Sequence, residues 1–303
     1  MRRNCNGGLS QTAFEIARHV TTTALVLSLG MALVLPGVAC ADEPQADVGV
    51  EPSNSSPSLV LADNAPSSDG GSSPDEVDPI ATSAVTMQQG SGEAKGYGSI
   101  AAAVADTADY HYKTNKEAYV ITLNQDVSED VVIGGKKFIT INLNGNTLTS
   151  ANGGVAALSV GTTKMVTVKD TLGGGEVVGN GGAAVQVVKG GKFTVSGAAV
   201  QSDGLNTVIS NEGALTVSDG SVASGSGMYP TIANNGTMTV SGGAVTGGSV
   251  AVTNFGKLTV SGGSVSNTGT GVATRAVLNN SSGSLTVSSG EVVSPGTAVS
   301  ANN

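Results

Sequence analysis

A ten-residue phrase that recurs along the second half of the chain constrains the fold more than any other feature. Residues 236–245 read GTMTVSGGAV and residues 256–265 read GKLTVSGGSV. Related copies begin at Gly191, Gly213 and Gly283. The threonine of the phrase recurs every 20 to 27 residues, at Thr140, Thr167, Thr194, Thr216, Thr239, Thr259 and Thr286. This period predicts a solenoid in which each repeat is one coil, because an independent domain needs many more residues.

Apolar and hydroxyl-bearing residues alternate within each copy. Successive side chains of a strand point to opposite faces, so Met238 and Val240 should point inward while Thr239 and Ser241 point outward. The Gly-Gly pair that follows is typical of a turn. A single coil cannot bury its apolar face, whereas stacked coils bury a continuous core. We therefore predict an all-β solenoid of seven to eight coils with parallel strands.

A second strand precedes each phrase and ends in an asparagine two residues before a glycine. The asparagines are Asn211, Asn234 and Asn254. Stacked at about 4.7–4.8 Å, their amides can hydrogen-bond along the solenoid axis. We predict that these three residues form a structural asparagine ladder.

The first 41 residues have the organisation of a signal peptide. Arg2 and Arg3 precede an apolar run over 20–38, and the sequence Ala-Cys-Ala ends at Ala41. We predict cleavage after Ala41 and export to the medium or the cell surface. Two alternatives are an uncleaved membrane anchor and a lipoprotein acylated at Cys40. Both cysteines of the chain lie in this segment, so the exported chain should contain no disulfide.

Residues 42–95 are rich in Ser, Pro and Asp and carry ten acidic residues against one lysine. Such a segment buries too little apolar area to offset its ordering entropy, so we predict a disordered linker. The linker holds most of the net charge of −9. Past Gly134, the sequence contains eight basic and six acidic residues. Because the sequence suggests no basic patch, we expect no nucleic-acid partner. We expect membrane contact only through an uncleaved signal segment.

The solenoid domain is predicted over 96–303. Ser99 can cap a short helix over 99–108, which should close the N-terminal end of the solenoid. The last residues, GTAVSANN, match the beginning of a further asparagine turn. We therefore expect the sequence to end within a repeat and to represent a truncated product.

The repeated phrases together resemble the right-handed parallel β-helix of pectin-lyase-like proteins. In particular, they are similar to bacterial surface β-helix proteins whose coils read AI-x-N-x-G-TLTISGGTV. Residues 118–149 resemble the first coils of those proteins, and the likeness covers about 97–303. The resemblance implies right-handed winding and an adhesin-like surface location. It implies little about activity, because this fold carries lyases, hydrolases, adhesins and stalks.

Acidic residues are scattered along the coils and do not form a catalytic pattern. A lyase or hydrolase on this fold should place carboxylates at matching positions of adjacent coils. Only Glu212 and Asp219 share a coil, on different corners. His111 is the one histidine after the signal segment, so a zinc site is not expected. We predict no catalytic residue, no metal ligand and no cofactor; the acids considered are Asp170, Glu176, Asp203, Glu212, Asp219 and Glu291.

One surface feature suggests a contact function. The outward residues of the phrase should form a flat hydroxyl array: Thr194, Ser196, Thr216, Ser218, Thr239, Ser241, Thr259, Ser261, Thr286 and Ser288. We predict a non-enzymatic, adhesin-like or structural surface module whose partner is an extracellular glycan or a host or cell-surface protein. The alternatives are a polysaccharide-active enzyme similar to pectate lyases, a glycan-binding module and, more remotely, an ice-binding protein.

Overall fold

The computed structural model describes residues 83–202 and 206–301. The predicted signal peptide, most of the predicted linker and Asp203 lie outside the described residues. The described chain winds through eight successive coils, which follow two short strands and a short helix.

Each coil contributes one strand, or one half of a long strand, to each of three faces. Face 1 contains β3 Tyr119–Leu123, β6 Phe138–Asn142, β9 Met165–Lys169, β12 Lys192–Ser196, β15 Ala214–Val217, β18 Thr237–Val240 and the first halves of β21 Lys257–Asn267 and β23 Ser284–Val293. Face 2 contains β4 Val127–Ser128, β7 Thr147–Thr149, β10 Glu176–Gly179, β13 Ala199–Ser202, β16 Ser221–Ser224, β19 Ala244–Gly247 and the second halves of β21 and β23. Face 3 contains β5 Val131–Ile133, β8 Leu158–Val160, β11 Val185–Val187, β14 Ile209–Asn211, β17 Ile232–Asn234, β20 Val250–Asn254, β22 Arg275–Asn279 and β24 Thr297–Ala301.

Neighbouring coils pair through parallel strands, as the repeat predicts. In coils 7 and 8, β21 and β23 continue around the corner from face 1 to face 2, so these faces join into one sheet of 16 strands. Face 3 is a separate sheet of eight strands. The parallel β-solenoid is thus confirmed. Right-handed winding stays a prediction, and the strong preference of parallel crossover connections for that hand supports it.

The apolar residues of the repeated phrase fill the interior. Phe193, Leu215, Met238 and Leu258 lie above one another in register, and each is at most 1% exposed. This alignment buries a continuous apolar column, which one coil alone could not do. In coil 8 the corresponding interior is less covered: Val287 is 48% exposed, because no described coil packs against its open side.

The asparagines of face 3 are hydrogen-bonded in series inside the solenoid. Asn211 Nδ2 donates to Asn234 Oδ1 at 2.6 Å, and Asn234 Nδ2 donates to Asn254 Oδ1 at 2.7 Å. Asn254 in turn donates to Asn279 Oδ1 at 2.6 Å. The ladder therefore extends one coil beyond the three residues predicted. The Asn-x-Gly pattern does not identify Asn279, because its turn is longer and the next glycine is Gly283. Asn279 Nδ2 donates to the Gly283 carbonyl at 2.9 Å across this turn.

Two strands precede the first coil and alter the predicted domain boundary. β1 Val85–Gln89 pairs antiparallel with β2 Lys95–Tyr97 on one side and with β3 on the other. Ordered structure therefore begins within the segment 42–95 that we predicted to be a disordered linker. The physical reason is the buried pair Val85 and Met87, which packs into the core although its sequence neighbours are polar.

The helix α1 Ile100–Asp106 lies within the predicted range 99–108. Ser99 caps it, since its Oγ accepts a hydrogen bond from the Ala102 N–H at 3.1 Å. The helix packs against β1, β2 and β5, and its role as an end cap stays a prediction. Among the described residues, no helix has the length and apolar character needed to cross a membrane.

Candidate functional site

The outward side of face 1 carries a straight column of threonines. Each threonine pairs in parallel register with the one in the next coil. Neighbouring strands lie about 4.8 Å apart, so the column spans about 29 Å along the axis. We call this feature the threonine column; it consists of Thr140, Thr167, Thr194, Thr216, Thr239, Thr259 and Thr286.

The serines of the predicted array do not repeat this regular arrangement. Ser218 Oγ donates to the Val195 carbonyl at 3.1 Å, so its hydrogen is directed to the preceding coil. A register shift after Val260 pairs Ser261 with Ser289 instead of Ser288. The remaining serines of the array, Ser196 and Ser241, flank the column on its downstream side. The regular part of the surface is therefore the threonine column alone.

Lysines gather beside the first three threonines of the column. The chain enters face 1 at a corner, here called the leading corner, formed in coils 2–4 by residues 134–137, 161–164 and 188–191. Parallel pairing stacks these three segments, for example through the Lys192 N–H, which donates to the Thr162 carbonyl at 3.1 Å. We call the resulting group, with Lys192 directly after the corner, the lysine strip; it consists of Lys136, Lys164, Lys189 and Lys192.

Two aromatic rings hold one member of the lysine strip in place. Lys164 Nζ lies 4.1 Å from the Tyr110 ring centre and 5.0 Å from that of Phe138. The two rings meet edge to face with centroids 6.0 Å apart. Cation–π attraction therefore fixes this ammonium group at the upstream edge of face 1. The sequence does not reveal the strip, because its members are up to 56 residues apart and the coil lengths decide which of them stack.

A second polar cluster lines an open cavity of about 320 Å³ beside the helix. Lys95 Nζ lies 2.7 Å from Asp106 Oδ2, and the Tyr97 hydroxyl donates to the same oxygen at 2.5 Å. The hydrogen bond from Lys95, and then that from Tyr97, lowers the pKa of Asp106. The hydrogen bond to Asp106 raises the pKa of Lys95. These contacts tie the end of α1 to β2.

Asp170 illustrates how the acidic residues of the coils are used. Its carboxylate accepts hydrogen bonds from the N–H groups of Gly145 at 2.8 Å and Gly175 at 2.7 Å. Partial burial raises the pKa of Asp170, but these and further backbone donors outweigh it, so the net pKa lies below the ordinary value. The carboxylate therefore fastens the Gly-rich turn that follows β9.

The prediction that only Glu212 and Asp219 share a coil is wrong, because Asp170 and Glu176 follow one another in the coil of β9 and β10. The carboxylates of the remaining candidates have separate hydrogen-bond partners or are exposed. Glu176 accepts a hydrogen bond from Gln201 at 2.5 Å on face 2, and Asp219 accepts one from the Gly220 N–H at 2.8 Å in its own turn. Glu212 and Glu291 are exposed on the leading corner and on face 2, respectively. Within 83–202 and 206–301, no three acidic, His or Cys side chains gather closely enough to hold a metal ion.

Comparison of the chain with protein-family models, with curated proteins and with solved structures gives no match. The parallel β-solenoid itself is observed, whereas membership of the pectin-lyase-like surface proteins stays a prediction from the repeated phrase.

Proposed function

We propose that the chain is an exported, non-enzymatic β-solenoid that acts as an adhesin-like or structural module at a cell surface. Face 1 is the contact surface, and the partner is an extended extracellular glycan that lies along the threonine column. Export is proposed from the organisation of residues 1–41, and the acidic segment that follows is proposed as the tether.

The observation that carries this proposal is the register of the threonine column. A sheet that places a threonine at the same position in each of coils 2–8 offers many similar weak contacts and no single deep site. The first coil has Val120 at this position, and Thr194 Oγ1 donates to Met165 Sδ at 3.3 Å. Each neutral hydrogen bond contributes about 1 kcal/mol, so useful affinity must come from several bonds at once. An extended polymer that repeats its own hydroxyl groups is the partner that can make them.

The test replaces threonines of the column by the isosteric valine. The triple variant Thr216→Val, Thr239→Val and Thr259→Val keeps the shape of face 1 and removes three hydroxyls. Its binding to immobilised polysaccharides should weaken about tenfold or more, as measured by biolayer interferometry with a panel of neutral and acidic polymers. The matched control is Thr147→Val, Thr149→Val and Thr246→Val on face 2, which should bind within about twofold of the original chain. Equal losses in both triples would overturn the assignment to face 1.

The polysaccharide-active enzyme remains the main competitor, and a product assay separates it from the proposal. General acid–base cleavage needs two ionisable groups within reach of one bond. Glu212 and Asp219 belong to different corners of coil 5. In coil 3, the Asp170 carboxylate is occupied by the N–H groups of Gly145 and Gly175, and Glu176 accepts a hydrogen bond from Gln201. A lone hydroxyl without an adjacent base is a poor nucleophile. We expect neither new reducing ends nor unsaturated products from pectin, alginate or glycosaminoglycans, with or without Ca²⁺. Turnover abolished by Glu212→Gln or Asp219→Asn would support the enzyme instead.

Because the threonine column is regular, ice is a second, more remote candidate partner. A regular row of threonines is the feature that an ice-binding face needs, but here the neighbouring serine positions are irregular. Measurement of thermal hysteresis in the presence of the protein tests this candidate directly, and we expect none.

A further inference from the structure

The charged residues of the coils are segregated around the solenoid axis. Past Gly134, every basic residue except Arg275 lies on face 1 or on the leading corner. The described acids lie mostly elsewhere, since Glu176 and Glu291 are on face 2 and only Glu212 is on the leading corner. The remaining two described acids follow face 1 strands at the next corner: Asp170 and Asp219. Although the pI of the whole chain is acidic, face 1 and the leading corner therefore form a basic surface.

The lysine strip is available for an external ligand. Neither of the ion pairs found among the described residues, Lys95–Asp106 and Lys137–Asp109, involves a member of the strip. Lys136, Lys189 and Lys192 are exposed to solvent. No carboxylate of the described chain forms an ion pair with them, although Glu212 follows the same corner in the next coil and Asp109 packs beside Gly135. Their charges therefore act together at the surface beside Thr167 and Thr194.

We propose that the lysine strip, together with the adjoining threonines, binds the acidic groups of a carboxylated or sulfated polysaccharide. This inference rests on the proposed function and names the chemical class of the ligand that face 1 contacts. The lysines neutralise the carboxylate or sulfate groups, and the threonine hydroxyls bond to the sugar hydroxyls. The chain of the ligand lies over coils 2–4 and continues along the threonine column.

Two features favour a polysaccharide over a nucleic acid. Single-stranded nucleic acids bind through bases that stack on exposed aromatic rings. The rings beside the strip, Tyr110 and Phe138, are already covered by the Lys164 ammonium. The strip also contains lysines as single point charges and no arginine fork, which is the group best suited to bidentate recognition of phosphate.

The experiment compares the binding of defined polymers to the full chain. Polygalacturonate supplies carboxylates, heparin supplies sulfates, dextran is the neutral polymer, and single-stranded DNA and phosphatidylserine vesicles are competing polyanions. Lys189→Gln combined with Lys192→Gln should weaken binding to polygalacturonate or heparin about tenfold, because two exposed charge contacts are lost. Lys189→Arg with Lys192→Arg should keep affinity within about threefold. Added salt should weaken binding of the original chain.

The control for net charge is Lys113→Gln with Lys116→Gln, on the connection before the first coil. This pair should change affinity less than twofold. Equal losses in the two Gln variants, tighter binding to DNA or vesicles than to both acidic polysaccharides, or binding of dextran as tight as that of polygalacturonate would overturn the proposal. Because the valine triple on face 1 is measured against dextran as well, failure of the lysine proposal is distinguishable from failure of the contact function of face 1.

Discussion

At the scale of single residues, the buried asparagines of face 3 link successive coils by hydrogen bonds inside the solenoid. Asn234 accepts a hydrogen bond from Asn211 and donates to Asn254 and to the Lys257 carbonyl, at 2.6, 2.7 and 3.2 Å. The side chain is fully buried, so its removal would take these hydrogen bonds from Asn254 Oδ1 and the Lys257 carbonyl and leave Asn211 Nδ2 with its bond to the Thr237 carbonyl. The ladder thus supplies polar contacts along an interior that is otherwise apolar.

We predict that Asn234→Ala lowers the free energy of unfolding by about 2–3 kcal/mol, since it leaves a buried donor and a buried acceptor less well satisfied. Urea denaturation followed by circular dichroism measures the loss. The adjacent Asn235 is exposed. Asn235→Ala should change stability by less than about 0.5 kcal/mol, and an equal loss in both variants would contradict the ladder.

The lowered pKa of Asp170 predicts that the stability of the fold depends on pH. Its pKa is lowered in the folded chain, so its contribution to stability is present above the unfolded value, about 3.9, and is lost as the pH falls through the folded pKa. At pH 7, Asp170→Asn should therefore be less stable than the original chain. The difference should shrink as the pH falls below about 4, as measured by urea denaturation at each pH. A difference that stays constant down to pH 2 would argue against the carboxylate as its source.

At the scale of elements, the turn before each face 1 strand sets how closely two coils approach. A methyl group on Gly236 would lie 2.2 Å from the Gly213 carbonyl oxygen in the preceding coil. Gly236→Ala should therefore cost about 3 kcal/mol, because the two backbones must separate. Gly227 has nothing within 4 Å of an added methyl group. Gly227→Ala should be tolerated within about 0.5 kcal/mol, and thermal denaturation of the pair measures the contrast.

The elements also differ in how far the sequence alone predicts them. Alternation in Leu258-Thr-Val260 indicates the inward and outward sides directly, because every coil repeats it in register. β1 lacks this redundancy, since its buried Val85 and Met87 occur once and beside a polar segment. The lysine strip depends on which residues stack after loops of different length, and a single sequence does not specify that stacking. Repetition therefore makes the coils predictable, whereas features that occur once require the structure.

At the scale of the whole molecule, we propose a contact surface that is distributed over the stacked coils and not concentrated in one site. A distributed surface gains affinity as more of its units are engaged, in the manner of multivalent binding. A deep catalytic or lectin-like pocket instead reaches its full affinity with one or two sugar units.

The most direct test of distributed contact is the dissociation constant for oligosaccharides of increasing length. Oligomers of two to about twelve units are prepared from the polysaccharide that binds the full chain most tightly, and isothermal titration calorimetry measures each one. We predict that affinity keeps rising until the oligomer reaches about 29 Å, the span of the threonine column. Affinity that reaches its maximum at one or two sugar units, or the absence of binding at every length, would contradict the contact function of face 1.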